Sequence, residues 1–439
     1  MKNTQDKVQI SNTHRLISFI ENMAKNPQKI DNTNISIEYF LNNIIKKLEL
    51  NLNFAVLNRQ DYIVKKSRQR HKNPLNIEIF TEAFYDPHFF RNSDKFINYE
   101  TLKNKIQHSI EANNSIEILL PIFSRKPISP IKNLGYYPDI AEIATILKIA
   151  SFSKIIQNLL NKNVTFTVLA DGKKYNRACR TPDFIVEEYQ KALQFWIDYF
   201  KLNNFITIAD YEKRVLISTG EEIYFLREEK FFNKYKEISL YFDKFFNPKD
   251  IRNSLLKIRQ SPLGEQIFYT FYSIITSVNY SIRLDYSAYI DFISSLHLNI
   301  KNIFNYTIFL NMREEAWEAT KKYVAISIID REMSIINKIN SNGIKLTIHA
   351  KANELRFIDT SVQNFNITAQ HCVGGLDIKN NDLKVTFDYR ICRESRNEQA
   401  VCLSNLDNNR ANLQIYGYLV QMGQINQPIY YQRSNDDTI

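Results

Sequence analysis

Several familiar chemistries are missing from this chain. Its 439 residues hold only four cysteines (Cys179, Cys372, Cys392 and Cys402) with no CxxC spacing among them. That spacing argues against a zinc cluster. The sparse scattering fits a reducing compartment, with Cys392 and Cys402 read as two reduced thiols across a hairpin. The serine-hydrolase and P-loop motifs are absent, as are the HExxH zinc pattern and a convincing GxGxxG, which disfavours a nucleotide-cofactor enzyme. No window approaches the uninterrupted apolar length of a membrane span, and the polar start MKNTQDK lacks the form of a secretory signal. The expected setting is therefore cytoplasmic, with no membrane contact.

The composition excludes a largely disordered protein, because 44% of residues are apolar and 13% aromatic. The length suggests two domains, divided into several segments. A net charge of +10 favours anionic partners such as phosphate esters, nucleic acid or a membrane surface, without choosing among them. The densest basic run, KKSRQRHK from Lys65 to Lys72, has no interleaved aromatics. A solvated face is the better reading, and a nucleic-acid partner is not expected.

The chain is organised around Ile116–Glu142. Ile116 to Leu120 is a short apolar run closed by Pro121, which predicts a buried strand. A loop follows with Arg125, Lys126 and Lys132 among Pro127, Pro130 and Gly135. Pro138 then opens a helix with Asp139 and Glu142 in its first turn and an apolar stripe at Ile140, Ile143, Ala144 and Leu147. The rhythm continues with a strand from Val164 to Ala170, a turn at Asp171-Gly172, a helix opening at Thr181-Pro182-Asp183, and a strand from Phe205 to Ala209 ending at Asp210. Strands alternating with long helices predict a parallel, doubly wound sheet.

The expected fold class is thus α/β: a Rossmann-like parallel sheet domain followed by a helical and then a β-rich C-terminal part. The expected boundaries are 1–100 for an N-terminal helical extension, 101–215 for the core, 216–342 for the helical region and 343–439 for the β-rich part. Lys126, Asp171 and Asp210 each follow the carboxyl end of a strand, so their loops meet at the edge where such sheets bind ligands. A strand, a cationic loop and an acidic helix start suit a phosphorylated or carboxylated small molecule. On the residues alone, a plain βα connection with solvated lysines stands first.

Leu120, Pro121, Phe123, Lys126, Lys132, Leu134, Gly135, Pro138, Asp139 and Glu142 fall without a gap on a composite pattern. In it the chain resembles the pyoverdine/dityrosine biosynthesis family, the isonitrile synthases. VLADG at Val168–Gly172 is similar to the family's Ser-Asp-Gly element, with Ala170 in place of the serine. Asp330-Arg331 resembles an Asp-Arg pair of the family. His349 in IKLTIHA resembles its Ile-Arg-Leu-Ser-Ile-His, and His371 in TAQHCVGG its Thr-Pro-Trp-His-Gly, with Gln370 and Cys372 replacing Trp and Gly. The loop departs from the pattern at Pro127, Ile128 and Ser129, where the family has Ser-Pro-Asn. The likeness covers roughly residues 105–210 closely and 330–374 in patches.

The resemblance implies an isonitrile synthase of lyase or transferase type. Such an enzyme converts the α-amine of an amino acid with ribulose 5-phosphate as carbon donor, without a metal or redox cofactor, and often hands its product to an iron- and 2-oxoglutarate-dependent oxygenase. It further implies Lys126 as an acid or anion holder, His349 and His371 as proton shuttles, and Asp171 and Glu142 as orienting carboxylates. Arg125, Lys132, Asp210 and Arg331 become substrate-binding groups. Each residue has a plainer reading: a core histidine, a turn aspartate, an intrahelical ion pair. The alternative from another class is a non-catalytic member that binds an anionic partner through a broad basic face including Lys65–Lys72. An enzyme would instead gather its cations and histidines in one cleft.

Overall fold

The computed structural model describes residues 30–90, 92, 97–112, 115–124, 126, 137–179, 183–223, 225–261, 263–268, 270–271, 274, 307–333, 335–340, 343–347, 354–357, 374–379, 382–387, 401–406 and 429–433. The chain enters with strand β1 (Ile30–Ile35) and a helical lead-in at Ile37–Tyr39 and Phe40–Ile45, followed by α1 (Lys46–Arg70), α2 (Asn76–Ala83) and α3 (Tyr99–Ala112). The alternating core comes next: β2 (Ser115–Leu120), α4 (Ile140–Leu160), β3 (Asn163–Ala170), α5 (Gly172–Cys179), α6 (Asp183–Tyr199) and β4 (Ile206–Asp210). Helices α7 (Tyr211–Thr219), α8 (Glu229–Phe242), α9 (Ile251–Ile258), α10 (Thr307–Glu332) and α11 (Ile335–Ile339) lead back to β5 (Ile344–Thr347) and β6 (Leu355–Arg356).

These strands form a parallel sheet in the order β4-β3-β2-β5-β6. The chain builds outward from β2 through β3 to β4, then returns to the other side of β2 with β5. The point of reversal between β2 and β5 is the topological switch where open α/β sheets take ligands. The two-residue period of the strands fills both faces. Ile116, Ile118 and Leu120 of β2 and Val164, Phe166 and Val168 of β3 join one buried cluster with the faces of α1, α4 and α6. Leu119 and Leu169 point the other way, into a second cluster with α7, α8, α9 and α10. The sheet is therefore covered on both sides, as the α/β reading requires.

A second sheet, in the order β1-β9-β10-β7-β8, is built from β7 (Gly374–Lys379), β8 (Asp382–Phe387), β9 (Val401–Leu406) and β10 (Tyr430–Arg433). Its first strand comes from the N-terminal segment expected to be helical, since β1 lies parallel to β9 from Ile30↔Val401 to Ile35↔Leu406. Phe40 stacks on Tyr430 with ring centroids 6.2 Å apart, and Leu376, Ile429 and Tyr430 belong to the same core cluster as α4. Helix α4 is thus buried on nearly every side, which its single apolar stripe did not convey. By length and composition it could cross a membrane, contrary to the expectation that no stretch would. However, 78% of the qualifying window is buried inside the protein, as befits a core helix.

Candidate functional site at the carboxyl edge

Where β2 ends, the backbone is forced into an unusual path. Phe123 is buried and has a φ of 59°, a left-handed conformation that costs a non-glycine residue about 1–2 kcal/mol. The bend brings Ser124 against the start of α5. A Cβ on Gly172 would lie 2.1 Å from the Ser124 carbonyl oxygen, so only glycine admits this approach. Ser124 then donates its hydroxyl to the Asp171 carboxylate at the end of β3. The Asp-Gly pair is more than a turn signal, because it locks the β2 and β3 loops together.

Lys126 lies two residues further on, with no solvent exposure at all. Its ammonium donates to the Asp139 carboxylate and to both oxygens of Glu142, at 3.0 and 2.8 Å, while the Tyr189 hydroxyl donates to Glu142 at 3.1 Å. Burial opposes the lysine's charge, but the two carboxylates outweigh it and raise the Lys126 pKa. Burial, reinforced by the charge of Glu142, pushes the Asp139 carboxyl well above the usual range despite Lys126. A proton on Asp139 leaves the trio neutral, the cheapest arrangement in a dry interior.

The same residues saturate the start of α4. Asp139 accepts from the Ala141 and Glu142 backbone amides, Glu142 accepts from the Asp139 amide at 2.9 Å, and the Ile140 amide donates to the Ile429 carbonyl at 3.1 Å. No donor in this first turn is left for a phosphate, although an acidic helix start after a cationic loop had suggested such a seat.

The principal cation of the edge was not among the expected residues. Lys174 of α5 is buried, 2.9 Å from Asp330 and 3.6 Å from Asp171, and it lies 4.1 Å from the Tyr211 ring centroid. The Tyr211 hydroxyl donates to Asp330, and Tyr175 stacks on Tyr323 at 4.1 Å. Burial works against the Lys174 charge, but Tyr211, Asp330 and Asp171 more than compensate and raise its pKa. Burial raises Tyr211, Tyr175 and Tyr323 as well. The sequence held one signal for Lys174, its place three residues after Asp171 in the first turn after Asp-Gly.

The remaining candidates divide. Asp210 caps α7, accepting from the Lys213 amide at 3.1 Å, and lies 3.8 Å from Lys173, which also pairs with Glu187 at 2.9 Å. Arg331 is exposed in the last turn of α10; its neighbour Asp330 is the member of that pair that enters the cluster. Arg125, Lys132, His349 and His371 lie outside the described residues. β5 runs parallel to β2 with Ile118 opposite Ile344, and His349 follows two residues after its carboxyl end. Among the described residues no group of three or more His, Cys, Asp and Glu side chains could hold a metal ion.

A separate polar group lies on α4. Lys148 is buried against Phe89, Phe90, Phe152, Phe166 and Phe357, with no space beside it for a water molecule. Burial brings its pKa down to about 7, Asp86 pulling it up and Arg59 pulling it down. Asp86 is held by Arg59 at 2.9 Å and by the His88 amide at 2.9 Å. Burial, with Lys148 and Arg59, lowers the His88 pKa to about 3.

An open parallel sheet covered on both faces, with a buried acid–base network at its carboxyl edge, defines a doubly wound α/β protein. More particularly, the chain matches the family described as Pyoverdine/dityrosine biosynthesis protein over residues 106–364, more than half its length, and belongs to that family. It is 32% identical over 94 residues to an L-tyrosine isonitrile synthase of Pseudomonas aeruginosa, covering 21% of this chain and 29% of that one. It is 27% identical over 117 residues to the L-tryptophan isonitrile synthase AmbI1 of Fischerella ambigua, covering 25% and 37%. An L-tyrosine isonitrile synthase of Xenorhabdus nematophila matches at 27% over 111 residues, covering 24% and 33%. The matches thus span about a third of these relatives' length. The crystal structure of the PvcA protein from Pseudomonas aeruginosa aligns over 70% of this chain and 90% of its own, at 16% identity and a TM-score of 0.41.

Proposed function

We propose that this protein is an isonitrile synthase, converting the α-amine of an amino acid to an isonitrile with ribulose 5-phosphate as the source of carbon. One observation carries this reading: Ser124, Lys126, Glu142, Asp171, Lys174 and Asp330, the polar groups of the carboxyl edge, all lie within the segment that matches the family. The three relatives named as isonitrile synthases support it.

The chemistry requires an amine to add to a ketose carbonyl and lose water, followed by enolisation, proton transfers and carbon–carbon cleavage. Each step needs an acid or base held away from bulk water. In this reading Lys126, with Glu142 and Asp139, is a buried proton store, and Asp171 orients the loop through Ser124. Lys174, held between Asp330 and Asp171, keeps its proton and fixes both carboxylates at the edge. His349 and His371 act as proton shuttles, and Arg125, Lys132, Asp210 and Arg331 bind substrate. The product would pass to an iron- and 2-oxoglutarate-dependent oxygenase.

The test is to incubate the purified protein with ribulose 5-phosphate and pooled amino acids, trap isonitriles with a tetrazine and read the adducts by mass. A trapped product, lost in Asp171→Asn, supports the reading. No product and no shift of melting temperature with ribulose 5-phosphate would favour a non-catalytic member that binds an anionic partner.

A further inference from the structure

Asn176 is the oddest residue at the carboxyl edge. It sits in α5 with no solvent exposure, and among the described residues neither its Nδ2 nor its Oδ1 has a hydrogen-bond partner. Leaving such a group unsatisfied costs about 1–3 kcal/mol unless a water or a ligand meets it. The polar groups of the β2 loop and the start of α4 are occupied with one another: Ser124 with Asp171, Lys126 with Asp139 and Glu142, Tyr189 with Glu142.

The direction of Asn176 follows from helical spacing. It lies one turn beyond Gly172, and residues four apart share a helix face. A Cβ on Gly172 would point at the Ser124 carbonyl and at Val186 of α6, 2.9 Å away. Asn176 therefore lies on the side of α5 turned toward the β2 loop and α6. Lys174, two residues earlier, faces the opposite way toward Asp330 and Tyr211.

The unpaired groups define their ligand. A carboxamide offers donors at Nδ2 and an acceptor at Oδ1, so it is satisfied by a ligand presenting an acceptor and an N–H donor side by side. A phosphate group presents acceptors alone and would leave Oδ1 unpaired, while the hydroxyls of its sugar can donate, which is why the two KM values are measured separately. The head group of an α-amino acid presents a carboxylate next to an amine. The neutrality of the acceptor matters too, because a carboxylate there would favour the ammonium form and suppress attack on a carbonyl, whereas an amide oxygen holds an N–H without adding charge.

We propose that Asn176 binds the head group of the amino-acid substrate, Nδ2 donating to the carboxylate and Oδ1 accepting from the reacting amine. This rests on the isonitrile-synthase reading for the identity of the substrate, and it adds the residue that positions the nucleophile.

The experiment compares the full-length wild type with Asn176→Leu and Asn176→Asp, measuring KM for the amino acid and for ribulose 5-phosphate separately, together with melting temperature. The expected result for Asn176→Leu is a melting temperature at or above wild type, KM for the amino acid raised about tenfold or more, and KM for the sugar phosphate unchanged. Asn176→Asp moves the basic rise of the pH–rate profile to higher pH, because its charge favours the ammonium form. An amino-acid KM within twofold of wild type, or a shift in the sugar-phosphate KM instead, overturns the assignment. If the wild type forms no isonitrile, the reading of function falls and Asn176 is judged on binding. A rise in melting temperature with amino acids that is lost in Asn176→Leu supports it, whereas a rise that persists, or none in the wild type, refutes it. If Asn176→Leu does not fold, Asn176→Ser carries the same comparison.

Discussion

Replacing Lys148 with methionine stabilises the protein, and the size of the gain depends on pH. Methionine keeps the length of the side chain among Phe89, Phe90, Phe152, Phe166 and Phe357 and removes an amine that has no room for water. The folded state holds this amine at a pKa of about 7, against an ordinary value of 10.5. Below pH 7 both states are protonated and the folded state bears the full cost of burying the charge. Between pH 7 and 10.5 the unfolded chain binds the proton and the folded chain does not, so stability rises with pH through that window. At 1.36 kcal/mol per unit, the lysine costs about 4 kcal/mol at pH 7 and about 2 kcal/mol at pH 9. Urea denaturation of both proteins at pH 6, 7, 8 and 9 measures the gap directly. A methionine variant less stable than wild type at pH 7, or a gap that does not narrow between pH 7 and 9, refutes the reasoning.

Other expectations follow from the same contacts. Lys126→Met leaves Asp139 and Glu142 buried without their cation and destabilises the fold by about 3–5 kcal/mol, visible as a lower urea midpoint; Lys126→Met combined with Glu142→Gln recovers part of the loss. His88 is neutral in the folded state, with a pKa near 3 against an ordinary 6.5. Stability therefore falls as pH drops from about 6.5 toward 3, and His88→Phe flattens that limb of a pH–stability curve. Gly172→Ala drives a methyl group into the Ser124 carbonyl and lowers the melting temperature, whereas Gly220→Asn, at a φ of 73° with open space around it, leaves it unchanged.

Much of the main sheet was legible because its punctuation is local. Pro121 closes β2, Asp171-Gly172 closes β3 and Asp210 closes β4, and each strand appears within a residue or so of the apolar run that announced it. The start of α4 was legible for the same reason, since Asp139 and Glu142 form a capping box from positions three apart. What escaped depends on distant partners. The run IDNTNI shows little apolar pattern, and it becomes a strand only because β9 lies alongside it. β7 and β10 fall in the stretch expected to be β-rich, β7 pairing with the β8 that follows it and β10 lying between β7 and β9. Lys174 and Asp330 are 156 positions apart, so no window could join them, and the Asp-Arg pair drew attention to the exposed Arg331. Lys126 was read as an acid or anion holder, and no local window showed that its charge is met by the carboxylates that start the next helix.

The proposed reaction joins the nitrogen of an amino acid to a carbon of a sugar phosphate. The most direct measurement is the tetrazine-trapping reaction run with uniformly carbon-13-labelled ribulose 5-phosphate and unlabelled amino acids. The account predicts an adduct heavier than its unlabelled counterpart by a single carbon-13, formed by wild type and absent in Asp171→Asn. An adduct without the label, or none with any amino acid, would contradict it.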